Sequence, residues 1–172
     1  MLQDAGADRI EHPGGTLLAH LLRVQALLAS WSARPALCTA GLCHAFYGTD
    51  GFPVALLGLD HRADLVTAIG AEAEAVVYFY ASCDRKPTYR ALDKDAGLFL
   101  DRFTGDAFLP GLERRRDFAE LTAANELDLA AVNPENLDRY GAALLRLFTR
   151  WRPLLSEAAW AHCQRVLVRP AN

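Results

Sequence analysis

Histidine is the side chain best suited to chemistry near neutral pH, either as a neutral metal ligand or as an acid and base. Five occur in this 172-residue chain, and His44 is set apart by its surroundings. The run from Leu37 to Phe52, LCTAGLCHAFYGTDGF, is apolar or small through Cys43, then places His44, then turns polar and glycine-bounded through Tyr47, Gly48, Thr49, Asp50 and Gly51. An imidazole at the end of a packed helix, followed by such a loop, is how many active sites are built. A core histidine satisfied by one hydrogen bond would read the same way, so partners must decide. His12, Thr16 and His20 fall at four-residue steps, so on a helix both imidazoles look the same way. Antiparallel packing of two successive helices could then bring His20 to His44. Neutral imidazoles meeting in an apolar bundle suit zinc, iron or manganese. His12, His20 and His44 are therefore the candidate ligands of one transition metal, with Asp84 or Asp50 as a candidate carboxylate. No organic cofactor is expected.

The same pocket could work without metal. His44 would then be the general base, Tyr47 a phenolic donor, and Arg85 the grip on an anionic group of the substrate. Asn125 would orient the substrate or an imidazole, and Thr49, Asp50 and Asp84 complete the candidate substrate contacts. Each has a plainer reading: Tyr47 at a core edge, Asp84 and Arg85 as a helix-end ion pair, Asn125 as a satisfied buried amide. Cys43, beside His44, is the candidate if the chemistry is that of a thiol.

The elements that must carry these residues read as helices. After residues 1–10, which show no periodic pattern and are expected to be loose, His12-Pro13-Gly14-Gly15 marks the start of a long helix. Leu17, Leu21, Val24, Leu28 and Trp31 form its apolar face, with His20 beside it. Pro35 opens the second helix, where Gly41 permits close approach of a neighbour. Asp60 caps a short helix that stops at Gly70, and His61 in its first turn should lie at the surface. The segment Ala71 to Ser82 is apolar around much of its circumference and so central, and Leu98 to Leu109 reads as a small β-hairpin or irregular excursion. From Leu112 the helix pattern Phe118, Leu121, Asn125, Leu129, Val132 carries one polar side chain on an apolar stripe. Asn133-Pro134 caps the next helix, whose buried side is Leu137, Leu144, Phe148 and Trp151. A last helix spans about Ser156 to Val168.

Length and composition indicate one globular domain over residues 1–172, and the run of helical patterns makes it all-α. The net charge of −3 argues against a chain that coats nucleic acid or anionic membrane, and no apolar run approaches the roughly 20 residues of a membrane span. The N-terminus is acidic, unlike a signal peptide. Cys38, Cys43, Cys83 and Cys163 form no CxxC pair and read as reduced core residues of a cytoplasmic protein. Glu113 to Arg116 reads as a solvated charged face. Trp31, Trp151 and Trp160 leave a homodimer through an apolar surface open.

LLAHLLRVQALLASW followed by LCTAGLCHAFYGT resembles the opening of HD-domain proteins. In that superfamily a helix histidine precedes an alanine- and leucine-rich helix ending in a His-Asp pair. His20 matches the first histidine and His44 the second. Ala124-Asn125-Glu126-Leu127 resembles the later Ala-Asp-x-Leu motif that gives a final aspartate ligand, and the agreement spans roughly residues 12 to 130. The chain also looks like an uncharacterised bacterial HD-like family with His, His, Gly-Leu-x-His and Tyr-Gly-Thr elements. The resemblance implies an HD-like helical bundle and a metal-dependent hydrolase of a small molecule. It departs from the pattern at Ala45 and Asn125, where the superfamily carries aspartates. A two-metal centre needs those anions, so the expectation narrows to a His-rich mononuclear site. The alternatives are a metal-free lyase or isomerase, an HD-type iron oxygenase, or a non-catalytic ligand-binding or scaffold protein.

Overall fold

A computed structural model describes residues 1–168. The chain begins with a hairpin of β1 (Glu11–His12) and β2 (Gly15–Thr16), followed by α1 (Leu17–Ser30) and α2 (Pro35–Cys43). A long loop leads through a single 3-10 turn to α3 (Arg62–Ile69), α4 (Ala71–Ala81) and α5 (Arg85–Ala91). A second hairpin pairs β3 (Phe99–Leu100) with β4 (Ala107–Phe108), and α6 (Leu112–Val132), α7 (Pro134–Arg150) and α8 (Glu157–Leu167) complete the described residues. The architecture is an all-α bundle with small β excursions, as the periodicity predicts, and the expected hairpin lies at its expected place.

Helix α6 is the axis. Between Asp117 and Ala130 it is buried on almost every side, because α1, α4, α7 and α8 all pack on it. An aromatic group fills one end of the core: Phe79 stacks on Phe99 at 4.1 Å, and Phe118 meets Phe79, Tyr89 and Trp151 edge-on at 5.8, 6.0 and 6.2 Å. A smaller apolar cluster of Ala7, Leu17, Leu21 and Ala45 lies under the other end.

The start of the chain differs from expectation. His12 lies on β1, and the first helix begins only at Leu17. Gly14 and Gly15 sit at φ 78° and 131°, left-handed values that end a helix and favour a tight turn. Thr16 is extended, and its hydroxyl accepts from the Ala19 N–H at 3.2 Å as an N-cap. Nor are residues 1–10 loose. Carbonyls of Ile10 and Ala7 accept the N–H groups of Leu17 and Leu18, both at 2.9 Å, which satisfies donors that a helix start leaves free.

Three further residues or segments depart from the pattern. The segment after Cys83 is a helix, α5, with Pro87 in its first turn, where no backbone donor is required. Arg115 is buried instead of solvated, donating to the Leu92 carbonyl at 2.7 Å at the end of α5, while Arg114 and Arg116 stay exposed. Trp31 and Trp151 are core residues, so of the three tryptophans only the half-buried Trp160 reaches the surface. His61 is exposed beside Asp60 and Asp64, as expected. Among the described residues no helix is long and apolar enough to cross a membrane.

Gly41 gives the expected close approach of α2 to α1. A Cβ there would lie 2.5 Å from Cδ1 of the buried Leu28. Gly41→Ala should therefore cost about 1–3 kcal/mol of overpacking, read from urea unfolding. Trimming the neighbour in a Gly41→Ala, Leu28→Val double variant should cost less than the two single changes summed. Strict additivity would show that the two helices do not meet there.

Candidate functional site

Three of the five histidines come together at the open end between α1, α2 and the first hairpin. His20 and His44 meet edge-on with ring centroids 5.4 Å apart, and His12 stacks on His20 at 4.3 Å. His12 thus joins the group from a hairpin strand and not from the helical register that its spacing suggested. Its Nδ1 is buried without a hydrogen-bond partner.

Each ring of the inner pair is oriented from behind. His44 caps the C-terminus of α2, and its Nδ1–H donates to the Gly41 carbonyl at 2.8 Å. A carbonyl can only accept, so the proton sits on Nδ1, and in the neutral ring Nε2 carries the lone pair. His20 donates Nδ1–H to Asp128 at 2.6 Å, and Asp128 also accepts from Arg23 at 2.6 and 3.0 Å. This is the carboxylate–imidazole arrangement that fixes a ligand's tautomer and aim. Burial works to raise the Asp128 carboxyl, but hydrogen bonds from His20 and Arg23 outweigh it and hold it below the usual carboxylate range.

Asn125 stands in front of both rings. Its Nδ2–H donates to Glu126 at 3.2 Å, which turns Oδ1 toward His20, 3.1 Å from Nε2. The amide also reaches His44. Placed this way, Nε2 and Oδ1 can share a second ring proton or a cation between them. Ligands at about 2.1 Å from one ion, set at or somewhat beyond a right angle, lie about 3 Å apart. Among the described residues no three His, Cys, Asp or Glu side chains form a metal-binding group by themselves. With the Asn125 oxygen, His20 and His44 make a set of two nitrogens and one oxygen.

The rings face a cavity of about 570 Å³. Thr49, Gly51, Phe52 and Arg85 line it beside the imidazoles, as do Asn125 and Glu126. The guanidinium of Arg85 is held loosely, 3.5 Å from the Thr49 hydroxyl and 3.6 Å from Glu126. Its place depends on a glycine: a Cβ on Gly51 would come within 2.6 Å of Nη1. Burial raises the Glu126 carboxyl, with Arg85 and Asn125 working the other way.

Of the residues singled out by sequence, the structure brings His12, His20, His44, Thr49, Arg85 and Asn125 to the cavity. Tyr47, Asp50 and Asp84 are not among its lining. Tyr47 points into the core, where its hydroxyl donates to the buried Glu74 at 2.9 Å beside Arg62. Burial and Glu74 raise that phenol well above its ordinary value, so it is not a ready proton donor. Asp50 accepts the Arg85 backbone N–H at 3.1 Å and so caps α5 across the loop. Asp84 precedes α5 without capping it through its side chain. The Cys43 thiol is pushed up to about 12 by burial, a poor nucleophile near neutral pH. Glu126, Tyr89 and the supporting Asp128 and Arg23 escaped the sequence reading. The one available signal was Asp128, a turn beyond Asn125 on the same helix.

Residues 1–85 match the model of a protein family described as a domain of unknown function, DUF6817. The matched span carries His12, His20, His44 and the loop to Gly51, and it ends at Arg85. No curated protein and no solved structure matches the chain.

Burial, the neighbouring His20 and Arg85 depress His44 to about 3, while burial and His20 depress His12 to about 4. A histidine that stays neutral when folded gains its proton only on unfolding, so acid favours the unfolded chain. For His44 no cost arises above the ordinary value of 6.5. Below it, His44 alone should lower the stability of the metal-free protein by up to about 1.4 kcal/mol per pH unit, with His12 adding its own share. Urea unfolding between pH 7 and 5 should show this slope, shallower in His44→Gln. An equal slope in the variant would mean that His44 does not stay neutral in the fold.

Proposed function

We propose that the cavity is the active site of a small-molecule enzyme, a metal-dependent hydrolase with a His-rich mononuclear site. The observation that carries this reading is the facing pair of acceptors, His20 Nε2 and Asn125 Oδ1, 3.1 Å apart beside a second imidazole whose Nδ1 is already committed to a backbone carbonyl. His20, His44 and Asn125 would hold one zinc, iron or manganese ion. His12 is the next donor to hand, through its partnerless Nδ1. The low basicity of His44 and His12 supports this assignment, since a metal binds the neutral imidazole. Such an ion supplies Lewis acidity and a water-derived nucleophile at neutral pH.

The chain's own groups do the rest. Asp128 and the Gly41 carbonyl keep the two rings in one tautomer and one orientation. Arg85 takes the anionic part of the substrate as a charge-assisted donor, and Thr49 flanks it. Glu126, between Asn125 and Arg85, is the cavity's one carboxyl in contact with both and is the group placed to move a proton. In this reading Asn125 takes the position of the final aspartate of the HD pattern, and the anionic charge lost there is partly supplied by Asp128 through His20. The metal-free reading asks His44 to be a general base, and a ring depressed to about 3 is a weak base at neutral pH. Four unpaired thiols support a cytoplasmic location, where thiols stay reduced.

Metal analysis of the purified chain should find about one zinc, iron or manganese ion per molecule. His44→Ala and Asn125→Leu should lower that content at least tenfold while His61→Ala keeps it. No bound metal after loading with each ion in turn would contradict the proposal.

A further inference from the structure

The cavity has two unlike walls. One carries the imidazoles, Asn125, Glu126 and Arg85. The other is built by α7, where Asn136 at its N-terminal end is followed by Tyr140, Ala143, Leu144 and Leu147, and by Leu129 of α6. The spacing of the four α7 residues from Tyr140 on, steps of three, one and three, is one helix face. It is a second apolar face, since Phe148 and Trp151 of the same segment turn into the core. Leu144 and Leu147 are half-buried and Tyr140 is 45% exposed, so this stripe is only partly covered by the protein itself.

A small hydrated anion would satisfy Arg85 and leave the α7 stripe wet. A wholly apolar ligand would cover the stripe and strand the guanidinium and the Glu126 carboxyl in a drier cavity, which is costly. We propose that the ligand of this cavity is an amphiphilic anion, a molecule with a carboxylate or phosphate at Arg85 and an aliphatic or aromatic body laid along α7. A cavity of about 570 Å³ is of the size that encloses such molecules. The proposal rests on the reading of this cavity as a small-molecule site and not on its holding a metal.

The test uses the metal-free full chain and defined probes, read by isothermal titration calorimetry. Octanoate and octyl phosphate carry the two anion types; butyrate, inorganic phosphate and 1-octanol each lack one half of the proposed ligand. At least one octyl anion should bind ten or more times more tightly than both 1-octanol and its short or inorganic counterpart, and whichever anion is preferred names the headgroup. Affinity should rise by up to about fourfold per added CH2. Arg85→Gln should bring the octyl anion down to the level of 1-octanol. Should that variant not fold, Gly51→Ala, which displaces the guanidinium, should do the same. Ala143→Gln, on the exposed side of α7, should flatten the dependence on chain length. Octyl anions that bind no better than 1-octanol, inorganic phosphate as tight as octyl phosphate, or no binding by any probe would each overturn the amphiphile. None of those results bears on metal content, which tests the proposed hydrolase separately.

Discussion

The carboxylate of Asp128 is the fixed point of the site. It sits 3% exposed on α6 and receives hydrogen bonds from His20 and Arg23 of α1. A buried charge is tolerated only when its lone pairs are used, and Asp128 uses them to tie the two helices in one register. Arg23 carries the linkage on to the first hairpin, where the carbonyls of Pro13 and Gly14 lie 3.3 and 3.4 Å away. One carboxylate therefore aims His20, anchors α1 on α6, and holds the hairpin that delivers His12. Replacing it with an apolar residue of similar size would leave Arg23 and His20 without their acceptor and loosen all three elements together.

Electrostatics explain why the imidazoles gather without repelling. Each ring is in a poorly hydrated place, and each proton added to one is felt by the next. Burial and this mutual repulsion keep His12 and His44 neutral well below the usual range. The price is sensitivity to acid. The gain is a set of lone pairs facing one cavity, next to an amide oxygen, with only one anion directly behind them. The two positions where the HD pattern would carry aspartates show the same economy. Ala45 packs in the small cluster with Leu17 and Leu21 and meets the cavity with a methyl group, while Asn125 keeps the oxygen and drops the charge.

Periodicity revealed the helices and much of the site. His20 and His44 could be paired from their helical settings, and Arg85, Thr49 and Asn125 also reach the cavity. What could not be read was governed by contacts distant in sequence or by turn chemistry. His12 reaches His20 because two left-handed glycines make a hairpin, a geometry that the four-residue spacing concealed. Tyr47 looked like part of the site because it follows His44 closely, but Glu74 and Arg62, on other helices, turn it into the core. Asp128 and Glu126 lay in a helix buried nearly all round, where no stripe separates core from site. The second apolar face of α7 was hidden for a related reason, since Leu144 counts equally toward the core face and the cavity face.

Nitrogen-15 NMR of the imidazoles tests the central claim most directly, because it reports the protonation and ligation of each ring nitrogen. In metal-free protein at pH 7, His44 should show a protonated Nδ1 and a bare Nε2, with no titration until well below pH 6. On addition of one equivalent of zinc, the Nε2 signals of His20 and His44 should move together while those of His61 stay in place. A His44 that titrates near its ordinary value, or Nε2 signals indifferent to zinc, would contradict a neutral His44 placed beside His20 to hold a metal.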